Sequence, residues 1–210
     1  MNFSNIILNW YAINGRELPW RQTTDPYAIW LSEVIMQQTK IAQGTAYWER
    51  FIKRWPNVQS LANATEDEVL REWQGLGYYS RARNLHKAAQ QIVDLGYFPQ
   101  TYNELIQLKG IGEYIAAAVY SIAFAGPVAV VDGNVYRVLA RFFGIEIPID
   151  STQGKKVFKA IAQDNLPKNA PAAYNQGIMD FGAMQCTPTL PNCKVCPLIE
   201  NCFAANNNKV

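Results

Sequence analysis

The chain has 210 residues, 49% hydrophobic and 12% aromatic, enough for a sizeable core in one large domain or two small lobes. A formal net charge of +2 is by itself weak evidence for nucleic-acid binding, and no apolar run approaches the ~20 residues of a membrane span. The start, MNFSNIILNWYAINGR, lacks the basic region and small-residue cleavage site of a secretory signal, so a cytoplasmic protein with no membrane partner is expected.

In chain order the pattern is helical almost throughout. Phe3, Ile6, Ile7 and Trp10 recur at helical spacing in FSNIILNWYAIN, which stops at Gly15. Asp25 followed by Pro26 makes a helix start, a capping side chain and then a proline at the first helical position. From Lys40 the apolar residues Ile41, Trp48, Phe51, Ile52 and Trp55 form a second face that ends at Pro56. Thr65 with Glu68 reads as a capping box for EDEVLREW. Further helical patterns run through SRARNLHKAAQQIVDL, TYNELIQL, EYIAAAVYSIAF, NVYRVLARFF, KKVFKAIAQ and AAYNQGIMDFGAM. The only strand-like run, PVAVV before Asp132, is too short and isolated to found a sheet. The expected fold class is all-α.

Three features carry chemistry. Glu33 is a lone carboxylate in AIWLSEVIMQQT, a segment that otherwise reads as the buried face of a helix. Burying such a group unpaired is costly, so it should point to water or have a task, and desolvation would raise its pKa. Asp132, in PVAVVDGNVYRVLAR, stands at a helix start, where backbone N–H groups favour the ionised form. An acid and base pair is one reading of the two carboxylates; a cap and a solvated side chain are the plainer one. In LKGIGEYIAAAV, Gly110 and Gly112 separate two helical patterns, so they form either a simple turn or a place where a phosphate meets a helix N-terminus.

All four cysteines, Cys186, Cys193, Cys196 and Cys202, follow C-x6-C-x2-C-x5-C within 17 residues, with no histidine nearby. Scattered disulfides would look different, so a metal site is favoured. A four-cysteine zinc site usually shows two C-x2-C knuckles, whereas a [4Fe–4S] cluster takes four thiolates at less even spacing; the pattern favours the cluster and leaves zinc open. His86, the only histidine, is given no catalytic role.

Taken together, LPWR at Leu18, WLSEVIMQQT at Trp30, GLGYYSRARNLHKAA at Gly75, LKGIG at Leu108, VDGNVYRVLAR at Val131, FGAMQCTPTLPNC at Phe181 and CPLIENC at Cys196 match a known family in order and spacing. The chain resembles the helix-hairpin-helix DNA glycosylases with an iron–sulfur cluster, and within them the MutY type that acts on adenine. The resemblance implies a six-helix lobe over residues 23–126 carrying the hairpin. A cluster lobe would form from residues 1–22 and 127–210, with the active site in the cleft between the two. It implies a [4Fe–4S] cluster on the four cysteines and a duplex DNA substrate containing a mismatched or oxidised base. A monomer working at the nucleoid is expected.

By the same resemblance Glu33 would protonate an everted adenine, Asp132 would stabilise the resulting sugar cation, and Asn134 would orient that chemistry. Tyr114 stands where the bifunctional endonuclease III type carries a lysine nucleophile. A phenol forms no Schiff base, so a monofunctional enzyme that leaves an abasic site is expected, with Tyr114 on the pocket wall. Arg16, Leu18, Trp20 and Arg21 match the adenine-contacting stretch, and Gln176 falls where some relatives read the adenine edge with a glutamate. Gln37, Gln38 and Tyr78 would fill the hole left by the flipped base. Lys109, Gly110, Gly112, Arg81, Arg83 and Arg137 would contact the DNA backbone. Relatives usually continue past the cluster into a domain that reads 8-oxoguanine, whereas this sequence stops eight residues after Cys202, which leaves partner selectivity open. Two rivals remain: a mismatch thymine glycosylase of the same superfamily, and a damage-binding module without catalysis.

Overall fold

Capping side chains decide where the helices start. In the computed structural model, which describes residues 2–209, Asp25 accepts a hydrogen bond from the Tyr27 amide at 3.0 Å and Pro26 takes the first helical position. Thr65 and Glu68 form the expected reciprocal box, and Thr101 with Glu104 forms a second one. The resulting elements are α1 (Phe3–Asn14), α2 (Pro26–Ile35), α3 (Ile41–Arg54), α4 (Val58–Ala62), α5 (Glu66–Trp73) and α6 (Ser80–Leu95). They continue as α7 (Tyr102–Leu105), α8 (Glu113–Phe124), α9 (Gly133–Phe143), α10 (Thr152–Asp164), α11 (Pro171–Met184) and α12 (Phe203–Asn206). No strand occurs among the described residues, and no helix there is long and apolar enough to cross a membrane.

The chain folds as two units, Glu17–Gly126 and a second made of residues 1–16 with residues 127–210. The first break lies six residues before the expected one, because Leu18 and Trp20 join the core of the middle unit, where the Trp20 and Trp48 rings sit 5.8 Å apart. That unit holds seven helices, α2–α8, where six were expected. The five-residue α4 left no readable period, and TYNELIQL is helical only over four residues before it turns into the hairpin. Its core is aromatic: Trp30, Phe51 and Trp73 are fully buried, and the Phe51 and Trp73 rings meet edge to face at 5.8 Å. Trp48 donates its indole N–H to the Ala28 carbonyl at 2.9 Å, which ties α3 to α2.

In the other unit α1 lies against α11 at Gly177, where an added Cβ would come within 2.9 Å of the Tyr11 Cβ. The PVAVV run is extended but pairs with no strand. Two side-chain amides take the place of a partner strand. Asn175 accepts from Val130 N at 3.1 Å and donates to Val128 O at 2.9 Å, while Gln163 accepts from Ala129 N at 3.0 Å and donates to Pro127 O at 2.9 Å. This satisfies the backbone of an extended segment inside an all-helical unit.

One turn requires glycine. Gly110 has φ +76°, and a Cβ there would lie 2.5 Å from the Asn84 Cβ. Gly110→Ala is therefore expected to lower unfolding free energy by about 2 kcal/mol, against about 1 kcal/mol for loss of the cap in Thr65→Ala. Urea denaturation of the two variants checks the order; a Gly110→Ala midpoint at or above that of Thr65→Ala would contradict it.

Candidate active site

Eight of the ten residues of α2 are buried, and from Tyr27 onward Glu33 alone is not. The helix is packed on nearly every side, so Glu33 marks its one open position. Its side chain is half-buried, and Oε2 accepts a hydrogen bond from the Tyr114 hydroxyl at 2.8 Å. Tyr114 is the second residue of α8 and follows the hairpin directly. The sequence thus placed a carboxylate and a phenol 81 positions apart, and packing of α2 on α8 brings them into contact.

The hairpin itself faces outward. Lys109, Gly110 and Gly112 are exposed. Gln91 fixes the loop on α6 by accepting from the Lys109 amide at 2.7 Å. Gly112 caps α8 without a side-chain hydrogen bond, and its Cβ direction is open, with no atom within 4 Å. A helix start of this kind offers N–H groups and the positive end of the helix dipole to an anion.

Gln37 and Gln38 follow α2, and Tyr78 precedes α6. Gln38 and Tyr78 are non-glycine residues with positive φ, 55° and 46°, and Tyr78 is 67% exposed. Arg81 is part-exposed, and its guanidinium donates to backbone carbonyls of two loops. Its Nη1 donates to Val34 O at 3.2 Å, to Ile35 O at 3.3 Å and to Gln37 O. Its Nη2 donates to Leu76 O at 3.2 Å and Gly77 O at 3.4 Å. Burial lowers its pKa from the ordinary arginine value. Arg83 is exposed and paired with Glu66 at 3.3 Å. Leu18 and Trp20 are buried in the core, and Arg21 ends the 3-10 turn Pro19–Arg21, part-exposed.

In the other unit Asp132 caps α9 as expected: Oδ1 accepts from Val135 N at 2.8 Å and Oδ2 accepts from Asn134 Nδ2 at 2.9 Å. Asn134 Oδ1 in turn accepts from Arg137 Nη2 at 2.8 Å. Arg137 also donates to Cys186 O at 2.8 Å and Gly182 O at 2.6 Å, and burial lowers its pKa. Its part-exposed guanidinium thus ties Asn134, Gly182 and Cys186 together. Arg16 binds the fully buried Asp180 through its backbone N–H at 3.0 Å and through Nε at 2.8 Å, with Nη2 on the same carboxylate. Gln176 Oε1 accepts from the Tyr11 hydroxyl at 2.6 Å.

Asp180 and Arg141 were not singled out from the sequence. Asp180 carried the same signal as Glu33, a carboxylate inside an apolar helical run. Arg141 lies one turn after Arg137 and donates to Thr187 O at 2.7 Å and Pro188 O at 3.1 Å, so two arginines of α9 hold the loop that starts at Cys186.

The four cysteines are free thiols, all half-buried. Burial, then the neighbouring Cys186 and Cys202, raise the Cys193 thiol, and burial with the other three thiols pushes Cys196 up to about 11. The sulfurs therefore share one neighbourhood. Among the described residues, however, no three His, Cys, Asp or Glu side chains converge closely enough for a single metal ion. Four soft thiol donors in one neighbourhood are the donor set that an iron–sulfur cluster takes.

Residues 31–166 match the family described as HhH-GPD superfamily base excision DNA repair protein. The adenine DNA glycosylase of Buchnera aphidicola subsp. Schizaphis graminum (strain Sg) is 40% identical over 205 residues, covering 96% of this chain and 59% of that protein. The Homo sapiens adenine DNA glycosylase is also 40% identical, over 213 residues, covering 96% of this chain and 39% of that protein. The chain thus spans about 59% of the length of the first of these relatives, and less of the human one. The structure of a thermostable thymine-DNA glycosylase superposes with a TM-score of 0.90 at 27% identity, covering 98% of this chain and 95% of that one. With the family match running over more than half of its residues, the chain belongs to the HhH-GPD superfamily of base excision DNA repair proteins.

Proposed function

We propose that the protein is a monofunctional DNA glycosylase of base excision repair. It rotates an adenine mispaired with 8-oxoguanine or guanine out of the duplex and hydrolyses its glycosidic bond, leaving an abasic site. The observation that carries this reading is the 2.8 Å hydrogen bond from Tyr114 to Glu33, which sets a carboxyl group beside the start of the hairpin helix. Identity of 40% to adenine DNA glycosylases over 96% of the chain supports the choice of base.

Each residue has a part in the reaction. Lys109 and the open N-terminus of α8 hold a backbone phosphate. Glu33, protonated, gives its proton to nitrogen 7 of the everted adenine. The bond from nitrogen 9 to the sugar then breaks, with its electrons leaving on the base. Asp132, oriented by Val135 N–H and Asn134, stabilises the oxocarbenium ion. A water adds to the sugar while Glu33 takes back a proton. Tyr114 orients the carboxyl group and, as a phenol, forms no Schiff base, so strand cleavage does not follow. Cys186, Cys193, Cys196 and Cys202 hold a [4Fe–4S] cluster that pins the C-terminal loop, and no step passes through it. The protein acts as a monomer, at the nucleoid of its cell.

A second reading, a mismatch thymine glycosylase, is favoured by one observation, the TM-score of 0.90 to a thymine-DNA glycosylase. Duplexes with adenine opposite 8-oxoguanine, adenine opposite guanine, and thymine opposite guanine separate the two after alkali treatment. Release of thymine alone would replace the adenine reading; release from none would leave a damage-binding module. Glu33→Gln is expected to slow adenine release by about 10²–10⁴-fold and Asp132→Asn by about 10²–10³-fold, both with DNA affinity retained in a gel-shift titration. Wild-type rates in either variant would remove that residue from the chemistry.

The cluster has its own readout. The purified protein is expected to be brown, with broad visible absorbance and four irons per chain by the stoichiometry of the cluster. Cys202→Ser should lose both. Thiolates must form to ligate iron, and Cys196 is pushed up to about 11 by burial and its fellow thiols, so loading releases protons and weakens as pH falls. Loading that strengthens on acidification, or zinc in place of iron, would contradict the assignment.

A further inference from the structure

We infer that Arg81 is a positioning residue: it clamps the Gln37–Gln38 loop and the Gly77–Tyr78 loop to each other, and so holds the side chains that replace an everted base. This rests on the glycosylase reading above, and it gives Arg81 a role different from the phosphate contact its sequence context suggests.

The position is unfavourable for any simpler purpose. Arg81 is the second residue of α6, where the positive end of the helix dipole disfavours a cation. The guanidinium turns away from its own helix and reaches two backbone segments some 40 residues apart. Nη1 satisfies carbonyls at the C-terminal end of α2 and in the turn beyond it, which have no partner within the helix. Nη2 satisfies Leu76 and Gly77. One rigid planar fork therefore joins the two loops, a task that fits arginine and not lysine, whose ammonium is a single point of attachment.

Both loops hold a residue in a costly backbone conformation. Gln38 and Tyr78 have φ of 55° and 46°, and such strain persists only where the surroundings over-determine it. Arg81 supplies that constraint on the residue before each of them, bonding Gln37 O and Gly77 O. It also lies 5.7 Å from the Tyr78 ring centroid and 5.1 Å from that of the buried Trp73, so one face of the tyrosine is backed by a cation anchored to the core. Tyr78 and Gln38 nevertheless remain exposed, directed by a fixed base rather than packed into it. A wedge that must enter a base stack needs its direction set beforehand, because a displacement of about 1 Å can cost about 100-fold in rate.

The test compares full-length wild type, Arg81→Ala and Arg81→Lys on a duplex with 2-aminopurine next to the target adenine. Its fluorescence reports unstacking, single-turnover rates report adenine release, and the salt dependence of binding reports phosphate contacts. For a clamp, both variants lose the fluorescence rise and slow by about 100-fold, while the slope of log affinity against log salt stays at the wild-type value. A phosphate ligand predicts the opposite: Arg81→Ala flattens the slope by about 0.9 and Arg81→Lys restores both slope and rate. That result would overturn the inference, as would wild-type eversion in both variants or a loss confined to thermal stability. If Arg81→Ala does not fold, Arg81→Lys, which keeps the charge and most of the stem, decides alone. Wild type that everts the base but releases no adenine would sink the glycosylase reading without touching the clamp.

Discussion

The packing of α2 on α8 is the contact on which the rest depends, because it turns two distant and ordinary residues into one site. A helix buried on almost every side leaves no room for a charged group except where a neighbour can answer it with a hydrogen bond. Glu33 occupies that position, and the Tyr114 hydroxyl supplies the bond at 2.8 Å. The hairpin sets the start of α8, so it also sets where Tyr114 stands. In the reaction proposed above, DNA held at the hairpin and chemistry at Glu33 are linked through a single rigid element. The positive φ of Gly110, open to glycine without strain, shapes the turn from which α8 begins.

Arginine does the structural work that a sheet would do elsewhere. An all-helical chain ends each helix with carbonyls that lack partners, and its irregular loops add more. Arg81 satisfies the end of α2, Arg137 the end of α11 at Gly182, and Arg141 the loop after Cys186. In each case a planar group with several donors joins two segments at once. Arg81 and Arg137, which the resemblance assigns to the DNA backbone, and Arg141, which it leaves unassigned, therefore all serve the fold.

How much of this the sequence disclosed depends on how local each feature is. Helix starts with a capping side chain, at Asp25, Thr65 and Asp132, are written in two to four adjacent residues, and all three caps form. The long periodic helices α6 and α8 span the residues their patterns indicate. The five-residue α4 and the curtailed α7 were not legible, because fewer than two turns carry no period. Side-chain partners were the hardest to foresee. Nothing in SRARNLH distinguishes Arg81, which is tied into the protein, from Arg83, which faces Glu66 in solvent; only the path of the preceding loop decides it.

Glu33 and Asp180 show why a buried carboxylate cannot be assigned from its surroundings alone. Both lie in apolar helical runs, and both pose the same desolvation problem. Asp180 solves it with a charge: Arg16 binds it through backbone and guanidinium N–H groups, and the carboxylate is fully enclosed. A carboxylate so enclosed is closed to any ligand, which suits a strut. Glu33 meets a neutral phenol and keeps part of its surface open. For each carboxylate a partner comes from far along the chain, 81 residues away for Glu33 and 164 for Asp180, so neither could be read from its own segment.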